Sequence, residues 1–260
     1  MERAEAFLRA GELDEALAAL DEQLQAQPDD AAAQRLRIDV LIRLPGRAQD
    51  ALVALNALPD LTGDDYVARY GALLPLGLPG VDDAILEGYT RFPGQPALAD
   101  LTLTILQRRG ASDQALALLA DLPKTAHWLS WSGTFYALKG DDRVAAEHFC
   151  SALDQLEDVT DPLLKLQRAA LLLRRADAYR RLKQYADADA DYLAAEAIIP
   201  DDPMIPFNRG LLIFEQGNLR RALPLCRDAL DHAPDALRDH MRHVLLDGTR
   251  YRTLAQALLG

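Results

Sequence analysis

Aromatic residues are sparse in this 260-residue chain, at 6% of the total, and sulfur is sparser, with two cysteines and three methionines. Cys150 and Cys226 lie far apart, and neither belongs to a C-x-x-C pair. That excludes a disulfide framework and points to a reducing compartment. A basic excess is also lacking: 28 Lys and Arg stand against 40 Asp and Glu, for a net charge of −12. Such a surface repels phosphate backbones, so nucleic acid is not expected as a partner. No run of about 18 apolar residues is present, so no membrane span is expected. The start, Met1-Glu2-Arg3-Ala4-Glu5, lacks a basic segment followed by an apolar one. No leader is therefore expected, and the expected location is the cytoplasm. Missing too are G-x-x-x-x-G-K-[ST], a G-x-G-x-x-G after a strand, and G-x-S-x-G. Nothing in the sequence proposes an enzyme or a cofactor.

What is present is Leu and Ala, within a hydrophobic share of 50%. Both are good helix formers, while β-branched runs are scarce, so the composition favours helix over sheet. Excess acid collects before about residue 125, and Arg concentrates between Arg168 and Arg252.

A spacing recurs along the chain. Gly210, Gly217, Ala222, Ala229 and Pro234 mark one segment. Ala176, Tyr179, Tyr185, Ala188, Tyr192, Ala195 and Pro200 mark the segment before it. Pro200 to Pro234 is an offset of 34, and so is Ala188 to Ala222. Small residues let two helices approach, and Tyr179, Tyr192, Ile213 and Cys226 fill the space between them. Pro200 and Pro234 end the second helix of each pair.

These residues resemble the tetratricopeptide-repeat family, whose pattern is small and aromatic in a first helix, small–aromatic–small in a second, then Pro. The same frame fits Gly133, Tyr136, Gly140, Ala145, Phe149 and Ala152, and again Ala4, Phe7, Gly11, Leu13, Ala16, Leu20 and Pro28. The resemblance implies an all-α, right-handed α-solenoid of about seven helix pairs with a C-terminal capping helix, in one domain over 1–260. Regular repeats are expected at about 1–30, 124–160, 161–202 and 203–234, degenerate ones at about 31–123, and a cap over 235–260. Ala48 and Ser112 open second helices that stop early, at Pro59 and Pro123. Between Gly63 and Gly94 the pattern is weakest, interrupted by Pro75, Gly77, Pro79 and Gly80. Thr160-Asp161-Pro162 reads as a helix start, so the first helix of the sixth pair is expected to run from about Pro162 to Leu182.

In the family it resembles, first helices line a groove that holds a peptide or a partner helix. Repeat register then places Trp131 and Thr134 inward in the fifth pair, Arg174, Asp177 and Arg181 in the sixth, and Phe207, Asn208, Leu211 and Phe214 in the seventh. Arg174 and Arg181 share a helix face and would fork onto carboxylates, or else join Asp177 in an internal ladder of ion pairs. The inward aromatics contact either a partner or a neighbouring repeat. Asn208 matches a position where the family often contacts a peptide backbone. The two-carboxylate clamp of some relatives is absent, since Leu173 and Asp177 stand where Lys and Asn are needed, and Ala236 and His240 where Lys and Arg are needed.

Remaining candidates have plain readings. Cys226 fills a core position, and Cys150 follows His148 too closely on a helix to face it. His240 and His243, with Asp239, Asp247 and His232 nearby, offer a weak metal-site pattern; no metal is expected. Acid pairs such as Asp29-Asp30, Asp64-Asp65, Asp82-Asp83, Asp141-Asp142 and Asp201-Asp202 fall at helix starts, where they cap and oppose the helix dipole. The expected function is a scaffold or adaptor that binds another protein. A self-associating structural module is the alternative, because the first pair lacks an evident cap. A metalloprotein is the weakest of the three.

Overall fold

A computed structural model describes residues 1–78 and 80–260; Pro79, one of the four interrupting residues named above, lies outside them. Among the described residues there are 16 α-helices, one 3₁₀ turn and no strand. The chain divides into two compact units, Met1–Ala111 and Ser112–Gly260.

Unit 1 holds α1 (Glu2–Ala10), α2 (Leu13–Ala26), α3 (Ala31–Arg43), α4 (Ala48–Asn56), α5 (Gly63–Leu73), α6 (Val81–Arg91) and α7 (Pro96–Arg108). Each consecutive pair packs together. One core gathers Ala16, Leu20, Ile38, Leu41 and Leu55, and a second gathers Tyr66, Ile85, Leu98 and Ile105. The weakest stretch of the sequence does form a pair, α5 with α6. Its connection is irregular because the 3₁₀ turn Leu74–Leu76, with Pro75 at its start, takes up the end of α5. Asp65 is buried there, forked by Arg35 of α3 at 3.0 Å, and a capping box with Thr62 starts α5. The fork and these bonds hold the Asp65 carboxyl below its ordinary range against the opposing effect of burial.

Unit 2 holds α8 (Ser112–Ala120), α9 (Ala126–Leu138), α10 (Asp142–Asp154), α11 (Pro162–Arg181), α12 (Tyr185–Glu196), α13 (Met204–Glu215), α14 (Leu219–His232), α15 (Asp235–Leu246) and α16 (Arg252–Leu259). One core runs through it from Leu129 to Leu254. Small residues set the helix separation. A Cβ on Gly133 would sit 2.5 Å from the Phe149 ring, and one on Gly210 would sit 2.3 Å from Cys226 Sγ. Helix α11 is long, as the Asp-Pro start implies. Asp161 caps it by accepting from the N–H groups of Leu163 and Leu164 at 2.8 and 3.1 Å.

Five corners that end a helix share one geometry. At Gly11, Gly110, Gly140 and Gly217 φ is positive, between 66° and 83°. The corner N–H donates three residues back and the next N–H five back, as in Gly140 to Ala137 (3.0 Å) and Asp141 to Tyr136 (2.9 Å). Lys183 makes the same corner at φ 62°, the one non-glycine residue in the left-handed region among those described. Acid pairs behave as helix starters: Asp30 and Asp141 cap α3 and α10, and Asp202 accepts from the Met204 N–H.

Candidate functional site

Three first helices of unit 2 place equivalent residues two positions before their small packing residue. Trp131 precedes Gly133, Arg174 precedes Ala176, and Asn208 precedes Gly210. Repeat register gives them equivalent positions on α9, α11 and α13. Trp131 is half-buried and stacks on Phe135, with ring centroids 5.8 Å apart. Arg174 reaches from α11 to α9, where its Nη1 donates to Ser130 Oγ at 2.9 Å and Thr134 Oγ1 at 3.1 Å. Asn208 is half-buried.

Arg174, Asp177 and Arg181 do not form a ladder with one another. Asp177 accepts from the Tyr192 hydroxyl at 2.6 Å and lies 3.6 Å from Arg180. Arg181 pairs with Asp142 of α10 at 2.6 Å. Arg174 has hydroxyl partners but forms no ion pair among the described residues. Burial alone acts on its guanidinium and pulls its pKa below the ordinary value. It is a positioned cation with vacant hydrogen-bonding capacity for an anion.

The inward aromatics divide. Phe207 and Leu211, expected on an open groove, are instead enclosed, at 0% and 2% exposure. They share a core with Met241 and Leu245 of α15. Phe214 is half-buried and packs against Tyr251 beyond α15, with ring centroids 6.0 Å apart. Register alone missed the contact of Phe214 because Tyr251 comes from the cap.

Two buried polar groupings were not read from the sequence. Arg175 forks onto Asp191 of α12 at 2.8 and 2.7 Å and also donates to Cys150 Sγ at 3.2 Å. Arg180 pairs with Glu215 at 2.6 Å and donates to the Tyr251 hydroxyl at 2.8 Å. Tyr251 in turn donates to Glu215, and Arg250 lies 2.9 Å from the same carboxylate. The available signal was charge at the repeat offset, since Arg180 and Glu215 are 35 apart.

These groups give the fold an alkaline limit. Burial, with the bond to Glu215, pushes the Tyr251 phenol up to about 12 from 10.0, and burial pushes the Cys226 thiol up to about 12 from 9.0. Raised values mean that the folded chain keeps protons the unfolded chain has released. Their stabilisation is whole below about pH 9 and is lost as pH rises toward 12. Urea midpoints should therefore fall between about pH 8 and about pH 11, and Tyr251→Phe should flatten the fall. A midpoint constant over that range would contradict these environments.

The metal reading finds no support in geometry. His240 and His243 are exposed, and His232 lies 3.2 Å from Asp228. Among the described residues no three His, Cys, Asp or Glu side chains converge as a metal site requires. His148 stacks on Tyr136 rather than meeting Cys150. No helix among the described residues is long and apolar enough to cross a membrane.

Paired helices, shared corners and residues in equivalent repeat positions define an α-solenoid of short helical repeats. Residues 1–65 and 173–236 match the family model of the tetratricopeptide repeat, and these parts of the chain are tetratricopeptide repeats. Two solved structures agree on the fold. The C-terminal part of a repeat protein from Cytophaga hutchinsonii matches at TM-score 0.58 and 12% identity, over 88% of this chain and 92% of that one. A tetratricopeptide repeat protein from Parabacteroides merdae matches at 0.50 and 17%, over 99% and 91%. A chain of the APC/C hetero-tetramer Cut9–Hcn1 aligns with 95% of this chain at TM-score 0.45 and 15% identity, and this chain spans 53% of its length. No curated protein matches the sequence. Repeats of this family support a protein–protein interaction scaffold.

Proposed function

We propose that the chain is a cytoplasmic, non-catalytic scaffold that holds an acidic segment of another protein against the inner face of unit 2. One observation carries this reading. Arg174 is held between α11 and α9 by two hydroxyls, is partly desolvated, and forms no ion pair among the described residues. An internal ladder would have neutralised it through Asp177, but that carboxylate is taken by Tyr192 and Arg180. A carboxylate docking on Arg174 gains a charge-assisted hydrogen bond, and neighbouring Trp131 and Asn208 offer an apolar surface and an amide beside it. Phe207 and Leu211 contribute the packing beneath. The two free thiols, Cys150 and Cys226, fit a reducing setting.

A tagged chain incubated in native lysate tests the reading. Arg174→Ala combined with Asn208→Ala should weaken specific partner capture by roughly 10-fold or more, the scale of a lost charge-assisted bond. Equal recovery with the parent and the variant would overturn the assignment.

A further inference from the structure

Eight residues of α11, from 162 to 169, precede the part that carries the repeat pattern, and they add roughly 12 Å of helix. This extension is not apolar by accident of a buried face. Leu163 is 75% exposed, Leu166 is 51% exposed and Ala170 is exposed. A helix advances about 100° per residue, so 11 residues return almost to the same direction. Leu163 and Arg174 are 11 apart and therefore stand on one line, about 16 Å from each other. Leu166 and Ala170 lie within the same stripe. Arg174 reaches α9, so at that end the stripe lies on the side of α11 turned toward α9. Asp161 caps this end and fixes it as helix. The surface is thus polarised lengthwise: two exposed leucines, a small residue that permits close approach, then a cation lacking an acid.

We infer that the extension of α11 is the apolar half of a helix-docking surface. The inference rests on the reading of Arg174 given above. Its occupant is an amphipathic helix of another protein, with leucine-like side chains at one end of a stripe and a carboxylate three turns away. Charge complementarity selects the carboxylate, because the Arg174 cation ends the stripe without an ion pair. Exposure of the leucines selects the apolar end. Ala170 leaves room for two helix backbones to lie close together. A partner with basic residues at that place would meet Arg174 and be rejected.

The probe is a fluorescein-labelled Ala- and Gln-based peptide of about 18 residues, long enough to be partly helical. It carries two leucines three apart and one glutamate 11 residues after the first, the spacing of Leu163, Leu166 and Arg174. A second probe has the reversed sequence, so that both orientations are sampled. Fluorescence anisotropy with the full chain should show saturable binding of one probe, weakened roughly tenfold or more by Leu163→Ser with Leu166→Ser, and similarly by glutamine in place of its glutamate. Circular dichroism of that variant should be unchanged, since both leucines face solvent. If Arg174→Ala weakens binding but the serine variant does not, the docking surface falls and the reading of Arg174 stands. If the serine variant weakens binding while Arg174→Ala does not, both this inference and the acidic-partner reading fall. Absence of saturation by either probe up to about 1 mM overturns the inference alone, and lysate capture still judges the reading. Light scattering of the full chain supplies a further check: a dimer dispersed by the serine variant would show that a second copy covers the stripe, which also overturns it.

Discussion

Gly210→Ala is expected to destabilise unit 2 by about 1–3 kcal/mol, although alanine is the better helix former. Local propensity alone would favour the change by about 1 kcal/mol. Packing opposes it more strongly. The added methyl would lie 2.3 Å from Cys226 Sγ and 3.3 Å from both the Ala222 carbonyl oxygen and the Cys226 nitrogen. Cys226 is fully buried and its Sγ already lies 3.8 Å from the Phe207 carbonyl oxygen, so the sulfur has little room in which to move. Helices α13 and α14 must then separate, which loosens contacts along their whole length. Urea denaturation measures the loss. Combining Gly210→Ala with Cys226→Ala should recover much of it, because the first change fills the space that the second empties. Simple addition of the two losses would show that the close approach does not govern the pair.

Glu215→Ala is expected to cost about 3 kcal/mol or more, and to release the cap first. The Glu215 side chain is 7% exposed and Arg180 is 12% exposed. Removing the carboxylate leaves buried Arg180 with Asp177, 3.6 Å away, as its remaining counter-charge, and Arg250 and the Tyr251 hydroxyl lose their acceptor as well. Breaking one side of a buried pair is costlier than never having had the pair, because the remaining charge keeps its desolvation penalty. The bonds through Tyr251 and Arg250 join residues after α15 to α11 and α13. Their loss should raise trypsin cleavage at Arg250 and Arg252 before the unit as a whole unfolds. Parental cleavage rates and an unchanged thermal midpoint would overturn this account.

The period of the chain was legible because it is written in residue size. Gly133, Ala176 and Gly210 sit where two helices cross, and a larger residue there has no space. Helix boundaries were legible for a related reason, since capping acids and positive-φ glycines act locally. The groove was harder to read. Arg174 met hydroxyls of α9, Asp177 met Tyr192, and Arg181 met Asp142, none of them neighbours in sequence. Pairing of that kind depends on side-chain reach across repeats, for which spacing within one helix gives no measure. Phe207 and Leu211 are enclosed rather than open for the same reason, since spacing within one helix does not show what packs over it.

The corner at Gly11, Gly110, Gly140, Lys183 and Gly217 is closed by its own backbone. A bend that needs no help from its surroundings is portable. Whole helix pairs can be duplicated, deleted or exchanged during evolution, and each copy turns correctly on arrival. Lineages built from such parts are free to change their length while the old joints keep working.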